Sequence, residues 1–291
     1  MVNPAAVFRK ARNLVEKDEE YPFRKLSRVF RSFLPVDEVR RIFVKAKKVV
    51  LTVEFPSKEK VESALRIPKG QKQEIREEFD KAWQGFLSLK VTPIALFSSF
   101  LIQKDSPKEG PALSPDPPNP DWIWLEPHIP FPFNPAYAKD CHTLFIGLIT
   151  LGSGLEDTAT KAFRDGESLK GWILDRIGTL LLRKAVSALL DQRRRETEGY
   201  FGPRYAPGCP PIPLSGQKRI FDLLDASLEG MRMTQGYMIH PVKTATFVSG
   251  IGMRAVLAET SLCRTCERAA FCYRDGLEAE KSIKIRLEPG F

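Results

Sequence analysis

Nowhere in the 291 residues do eighteen apolar residues run together, so the sequence predicts no membrane-spanning helix. The first twenty residues, MVNPAAVFRKARNLVEKDEE, lack the apolar core of a secretory leader, which predicts a cytoplasmic location. There is no G-x-S-x-G, no Walker A loop and no H-E-x-x-H, so the common hydrolase, nucleotidase and zinc-protease readings have no support. No internal repeat appears, and strands and helices do not alternate regularly. That favours an α+β fold over a doubly wound sheet. Histidine is scarce, with three in the chain. His142 opens an apolar stretch and His240 stands before a proline, and each reads as a core or groove residue rather than a catalyst.

What is present begins with charge. Residues 1–48 hold thirteen Lys or Arg against six Asp or Glu, a surplus of seven within a net charge of +9. Such an N-terminus can meet nucleic acid, an anionic membrane surface or an acidic partner, or it can be a solvated helix face. The aromatics are not spaced as a base-stacking platform, so nucleic acid ranks last.

Along the chain, residues 22–47 read as two helices divided at Pro35. KKVVLTVEFP reads as a strand. Residues 71–90 form an amphipathic helix with Ile75, Phe79, Trp83, Phe86 and Leu87 on one stripe. TPIALFSSFLI is strand-like. Residues 105–135 are rich in proline, with Trp122, Trp124, Phe131 and Phe133 interleaved, and predict a long surface loop or lid. HTLFIGLITLG predicts a buried strand, and 168–195 a long helix with Trp172, Ile173, Ile177, Leu180, Leu181 and Ala185 inward. GPRYAPGCPPIPLSGQ reads as turns, QKRIFDLLDAS as a short helix, and MIHPVKTATFVSGIG as strand-like.

Two stretches carry chemistry. In RYAPGCPPIPLSGQKRIFDLLDA, Arg204 precedes a rigid Pro-Gly turn, where a guanidinium and backbone N–H groups can clamp a carboxylate. In SLCRTCERAAFCYRDG, Cys263, Cys266 and Cys272 stand in C-x2-C-x5-C spacing, three of the chain's five cysteines. The first pair can grip a metal from one turn and the third can close around it. Thiolates suit zinc and iron–sulfur clusters alike, and Arg264, Arg268 and Arg274 would lower the thiol pKa values. A fourth ligand could come from Cys141, Cys209, His142 or His240, and the sequence leaves the choice open.

RYAPGCPPIPLSGQKRIFDLLDA resembles the R-x-x-P-G-Y…P…Q…IF-x-LL signature of the activation domain of cobalamin-dependent methionine synthase. GMRMTQGYMIHPVKTATFVSGIG is similar to that family's G-x-x-L-T-x-S-x-M-x-P-x-K-S-V-S-G segment, and LFIGLITLGSGLEDTATKAFRDGESLKGWILDRIGTLLL to its strand, turn and long helix. The cysteine tail is similar to that of stand-alone relatives, and the likeness covers about residues 48–275.

The resemblance implies one α+β domain, a twisted antiparallel sheet flanked by helices. It would span 48–260, with a basic extension at 1–47 and a cysteine tail at 261–291. It implies S-adenosylmethionine in a shallow groove, Arg204 on the methionine carboxylate, Ala206, Pro207, Gly208 and Cys209 lining the groove, and Lys243 as the family lysine. Lys243 would face the corrinoid or cap the sheet edge.

Two positions depart from the family: Cys209 replaces the motif tyrosine, and Thr179 stands where a carboxylate would meet the ligand's amino group. The implied role is reactivation of cobalamin carried by a corrinoid methyltransferase partner, with electrons from a low-potential donor. Cys263, Cys266 and Cys272 would hold a four-iron four-sulfur (4Fe–4S) cluster as relay. The alternative is a non-catalytic corrinoid-protein-binding module with a structural zinc.

Overall fold

The computed structural model describes residues 46–55, 57–65, 73–103, 122–126 and 129–253. The two basic helices expected before residue 46, most of the proline-rich segment and the cysteines at 263, 266 and 272 lie outside these residues.

Seven strands make one antiparallel sheet: β1 (Lys47–Val50), β2 (Ile94–Gln103), β3 (Ile123–Leu125), β4 (Ile129–Phe131), β5 (Thr143–Thr150), β6 (Tyr200–Tyr205) and β9 (Thr244–Gly252). The order is β4-β3-β2-β5-β9-β6, and β1 shares the outer side of β2 with β3. β1 takes Ile94 to Phe97 and β3 takes Ile102 and Gln103. A two-stranded ribbon, β7 (Arg232–Met233) with β8 (Ile239–His240), stands apart from the sheet. The fold is α+β, as the irregular order of elements predicts.

β5 is central, and both its faces are covered, which is why TLFIGLIT is a continuous apolar run rather than an alternating one. Leu144, Ile146 and Leu148 belong to one core with Leu96, Phe100 and Val248. This core is closed by the helix Gly216–Leu223 through Ile220 and Phe221. Phe145 and Ile149 belong to the other, with Phe97, Phe247 and Ile251, under the C-terminal half of the long helix Ser168–Glu196. We number the helices α1 (Lys58–Ala64), α2 (Gln73–Ser88), α3 (Gly154–Arg164), α4 (Ser168–Glu196) and α5 (Gly216–Leu223). A third cluster joins Val61 of α1, Phe79 and Phe86 of α2, Leu155 of α3 and Ile177 of α4.

Several expectations need correction. Within the proline-rich segment, Ile123–Leu125 and Ile129–Phe131 are strands rather than loop, the second at the sheet's edge, with Trp124, Phe131 and Phe133 buried. Pro130 sits in the outermost strand, where a missing N–H costs no ladder bond. GPRY is likewise not a turn but the end of β6, the opposite rim. A bulge between Phe201 and Arg204 takes up Pro203, and Ser249 Oγ donates to Gly202 O at 2.9 Å there. α3 is a helix of its own, ended by Asp165 and by Gly166 at φ +82°. Leu87 and Trp172, read as inward, are exposed, and the Arg176 guanidinium lies over the Trp172 ring at 5.6 Å. Leu180 is half-buried. Among the described residues no helix is long and apolar enough to cross a membrane.

Candidate functional site

Arg204 is set by β6. It pairs with Ser249 of β9 just after the bulge, and it is half-buried. The next residue, Tyr205, is buried edge-on between Phe133 and Tyr137, at 5.6 and 5.9 Å between ring centres. This aromatic anchor holds the root of the turn that follows.

The turn is built from backbone bonds. Cys209 N–H donates to Ala206 O at 3.1 Å, Gly208 N–H to Ile212 O at 3.0 Å, and Ile212 N–H to Cys209 O at 2.9 Å. Gly208 has φ +87°, a conformation that disfavours a side chain. The Pro210–Pro211 peptide is cis. The consequence differs from the expectation that the turn presents N–H groups outward. Pro207 has none, and those of Gly208 and Cys209 are spent inside the turn. Ala206, Gly208 and Cys209 are exposed and Pro207 is half-buried.

Lys243 lies at the other side of the same region. β6 leaves its pairing at Tyr205 opposite Val248, running toward the Thr244 end of β9, and Lys243 directly precedes that end. Its ammonium is 2.7 Å from Asp175 Oδ1 and donates to Thr179 Oγ1 at 3.1 Å. Thr179 Oγ1 in turn donates to Asp175 O at 3.1 Å. A carboxylate, Asp175, thus stands one helical turn before Thr179, and Lys243 holds it. Asp175 and Thr179 are four apart on α4 and share a face. Gly178 makes room: a Cβ there would meet Leu155 Cδ2 at 2.8 Å and Lys243 Cε at 3.2 Å.

Further residues missed by sequence reasoning fix this corner. Glu156 Oε2 of α3 accepts from Val242 N–H at 2.5 Å. Gln217 of α5 ties Thr246 Oγ1 at 3.3 Å to Tyr237 O at 2.5 Å. Beside it, Arg232, Met233, Thr234 and His240 line a shallow depression of about 350 Å³.

Cys141 and His142 stand at the opposite end of the sheet, where Thr143 pairs with Ile251. Cys141 is buried, a Cβ on Gly250 would lie 2.3 Å from its Sγ, and burial pushes its thiol above the ordinary value. His142 Nδ1 is 2.8 Å from Thr143 Oγ1, while Nε2 is buried with no hydrogen-bond partner among the described residues. No group of three or more His, Cys, Asp or Glu among the described residues is arranged to hold a metal.

These features define an α+β protein whose antiparallel sheet carries an arginine-anchored turn at one end and Cys141 and His142 at the other. No family model and no curated protein matches the chain. Among solved structures it is similar to the crystal structure of the MetH reactivation domain bound to AdoHcy. The TM-score is 0.43 and the identity 14%, over 73% of this chain and 81% of that one.

Proposed function

We propose that the chain is a stand-alone corrinoid-reactivation protein that binds S-adenosylmethionine and docks on a corrinoid-carrying methyltransferase. The observation that carries this reading is the Arg204 turn, a guanidinium beside a closed Ala206–Ile212 turn at a sheet rim, in a segment that reads RYAPGCPPIPLSGQ. Arg204 clamps the methionine carboxylate. Ala206, Pro207, Gly208 and Cys209 line the groove through side chains and carbonyls, since most of their N–H groups are engaged. The ligand's ammonium competes with Lys243 for Asp175.

In the reaction, a low-potential donor supplies one electron to Co(II) of the partner's corrinoid. The resulting Co(I) attacks the sulfonium methyl group; the carbon–sulfur bond breaks, and methyl-Co(III) and S-adenosylhomocysteine leave. This chain's part is positioning, with no acid or base required. Cys263, Cys266 and Cys272 hold a metal, as an iron–sulfur relay or as a zinc brace.

Calorimetry tests the ligand half. S-adenosylmethionine should bind the full chain, and Arg204→Ala should weaken it by at least about tenfold, the loss of one charge-assisted clamp. Absence of binding, or an Arg204→Ala variant that binds like the parent, sinks the assignment.

A second reading is a corrinoid-protein-binding module without this ligand, braced by zinc. The engaged N–H groups of Gly208 and Cys209 favour it. It expects partner capture that is indifferent to S-adenosylmethionine.

A further inference from the structure

We propose that the outer face of the β7–β8 ribbon binds a phosphomonoester, a small organic molecule that presents its phosphate to Arg232, Thr234 and His240. The inference goes beyond the reading above and shares no residue with the Arg204 turn.

The ribbon has two unlike faces. Arg232 pairs with His240, and Met233 with Ile239. Cross-strand partners share a face, and neighbours along a strand alternate. Ile239 is buried in the core with Ile220 and Phe221 of α5, and Met233 packs against that core. Arg232 and His240 therefore stand together on the opposite, outer face. Thr234 follows Arg232 by two residues and shares its side. All three line the depression of about 350 Å³, together with the half-buried Met233.

The donors of that face lack acceptors. The Arg232 and His240 side chains make no hydrogen bond or ion pair with another described residue. Glu229, the carboxylate nearest to Arg232 in sequence, is held by Lys48 at 2.5 Å. Thr234 Oγ1 accepts from Met238 N–H at 3.1 Å, which leaves its hydroxyl hydrogen for a ligand. A guanidinium directly across from an imidazole gains no attraction from it, whereas an anion between them binds both.

The donor set selects a phosphate. The Arg232 fork takes two oxygens, and the Thr234 hydroxyl and an imidazole N–H remain for a third. A carboxylate has two oxygens, and a phosphomonoester has three terminal ones. No carboxylate lines the depression to repel them. The volume exceeds what a phosphate alone fills, and Met233 supplies an apolar wall for the organic part of the ester.

The face is held in place from behind. Gln217 Nε2 of α5 donates to Tyr237 O at 2.5 Å, and Thr234 N–H donates to Met238 O at 2.8 Å. Glu156 of α3 holds Val242 N–H just beyond the ribbon. Binding therefore orders only the donor side chains, which keeps its entropic cost low.

The test is made on the full chain without a histidine tag. Phenyl phosphate, benzoate and inorganic phosphate are titrated at constant ionic strength, and the imidazole resonances of His240 and His142 are followed by NMR. His142, at the Ile251 end of the sheet, is the internal control. The expected result is a saturable shift of His240 with phenyl phosphate and none of His142. Arg232→Gln should weaken binding by at least about tenfold, the loss of one charge-assisted clamp. Benzoate binding as tightly as phenyl phosphate would overturn the choice of phosphate over carboxylate. Inorganic phosphate binding as tightly would overturn the organic part and make free phosphate the ligand. No saturable shift, an equal shift of His142, or an Arg232→Gln variant that binds like the parent would overturn the site. Should Arg232→Gln fail to fold, the three titrations of the parent still decide. S-adenosylmethionine carries no phosphate, so failure here leaves the Arg204 assignment standing.

Discussion

Lys243, at the lead-in to β9, places its ammonium 2.7 Å from the Asp175 carboxylate of α4. Lys243 is nearly buried and Asp175 is half-exposed, so water screens the pair from one side. Asp175→Asn should therefore cost only about 0.2–1 kcal/mol of stability. If Asp175 receives the ligand's ammonium, the same change should weaken S-adenosylmethionine far more than it lowers the denaturation midpoint. Equal binding by the two proteins would remove Asp175 from the site.

Gly147 lies under Phe247, and a Cβ at that position would stand 2.5 Å from the ring's Cζ. Phe247 is buried in the core cluster under α4, with Phe145, Ala185 and Leu189. Gly147→Ala should cost about 1–3 kcal/mol by overpacking. Chemical denaturation reads it, and an unchanged midpoint would mean that the Phe247 ring is not where it is described.

Gly208→Ala separates strain from bulk. The nearest atom to an added Cβ is Leu214 Cδ1 at 3.5 Å, so there is space, but φ is +87°. The expected penalty is about 1–2 kcal/mol, from backbone conformation alone. Ligand affinity should fall with it, because the turn that accompanies Arg204 can no longer close. A thermal melt and a calorimetric titration on one sample distinguish the two effects.

Cys209 and Cys141 should differ sharply toward thiol reagents. Cys209 is exposed, whereas Cys141 is buried and burial disfavours its thiolate. Peptide mapping after brief alkylation should find Cys209 modified and Cys141 protected until denaturant is added. Early labelling of Cys141 would contradict its packing against Gly250.

Legibility in the sequence followed length and periodicity. α2, α4 and β5 were readable because each buries a long, regular apolar pattern. β3, β4 and β6 were not, because Pro130 and Pro203 argue locally against strand and only the sheet's rims tolerate them. Trp172 looked inward by spacing, yet Arg176 covers its face in solvent. At the candidate site, Arg204 and the turn were visible as a motif. Asp175 was not, since nothing in sequence joins it to Lys243 sixty-eight positions later.

The prolines that disguised the rims also govern how this molecule can meet others. β4 ends one side of the sheet and β6 the other, and each interrupts its own row of donors, at Pro130 and Pro203. Among the described residues these two rims are therefore poor templates for an added strand. Recognition at these two rims falls to side chains and turns. Under the proposed function, a corrinoid-carrying partner meets the protein through the Arg204 turn rather than by strand addition.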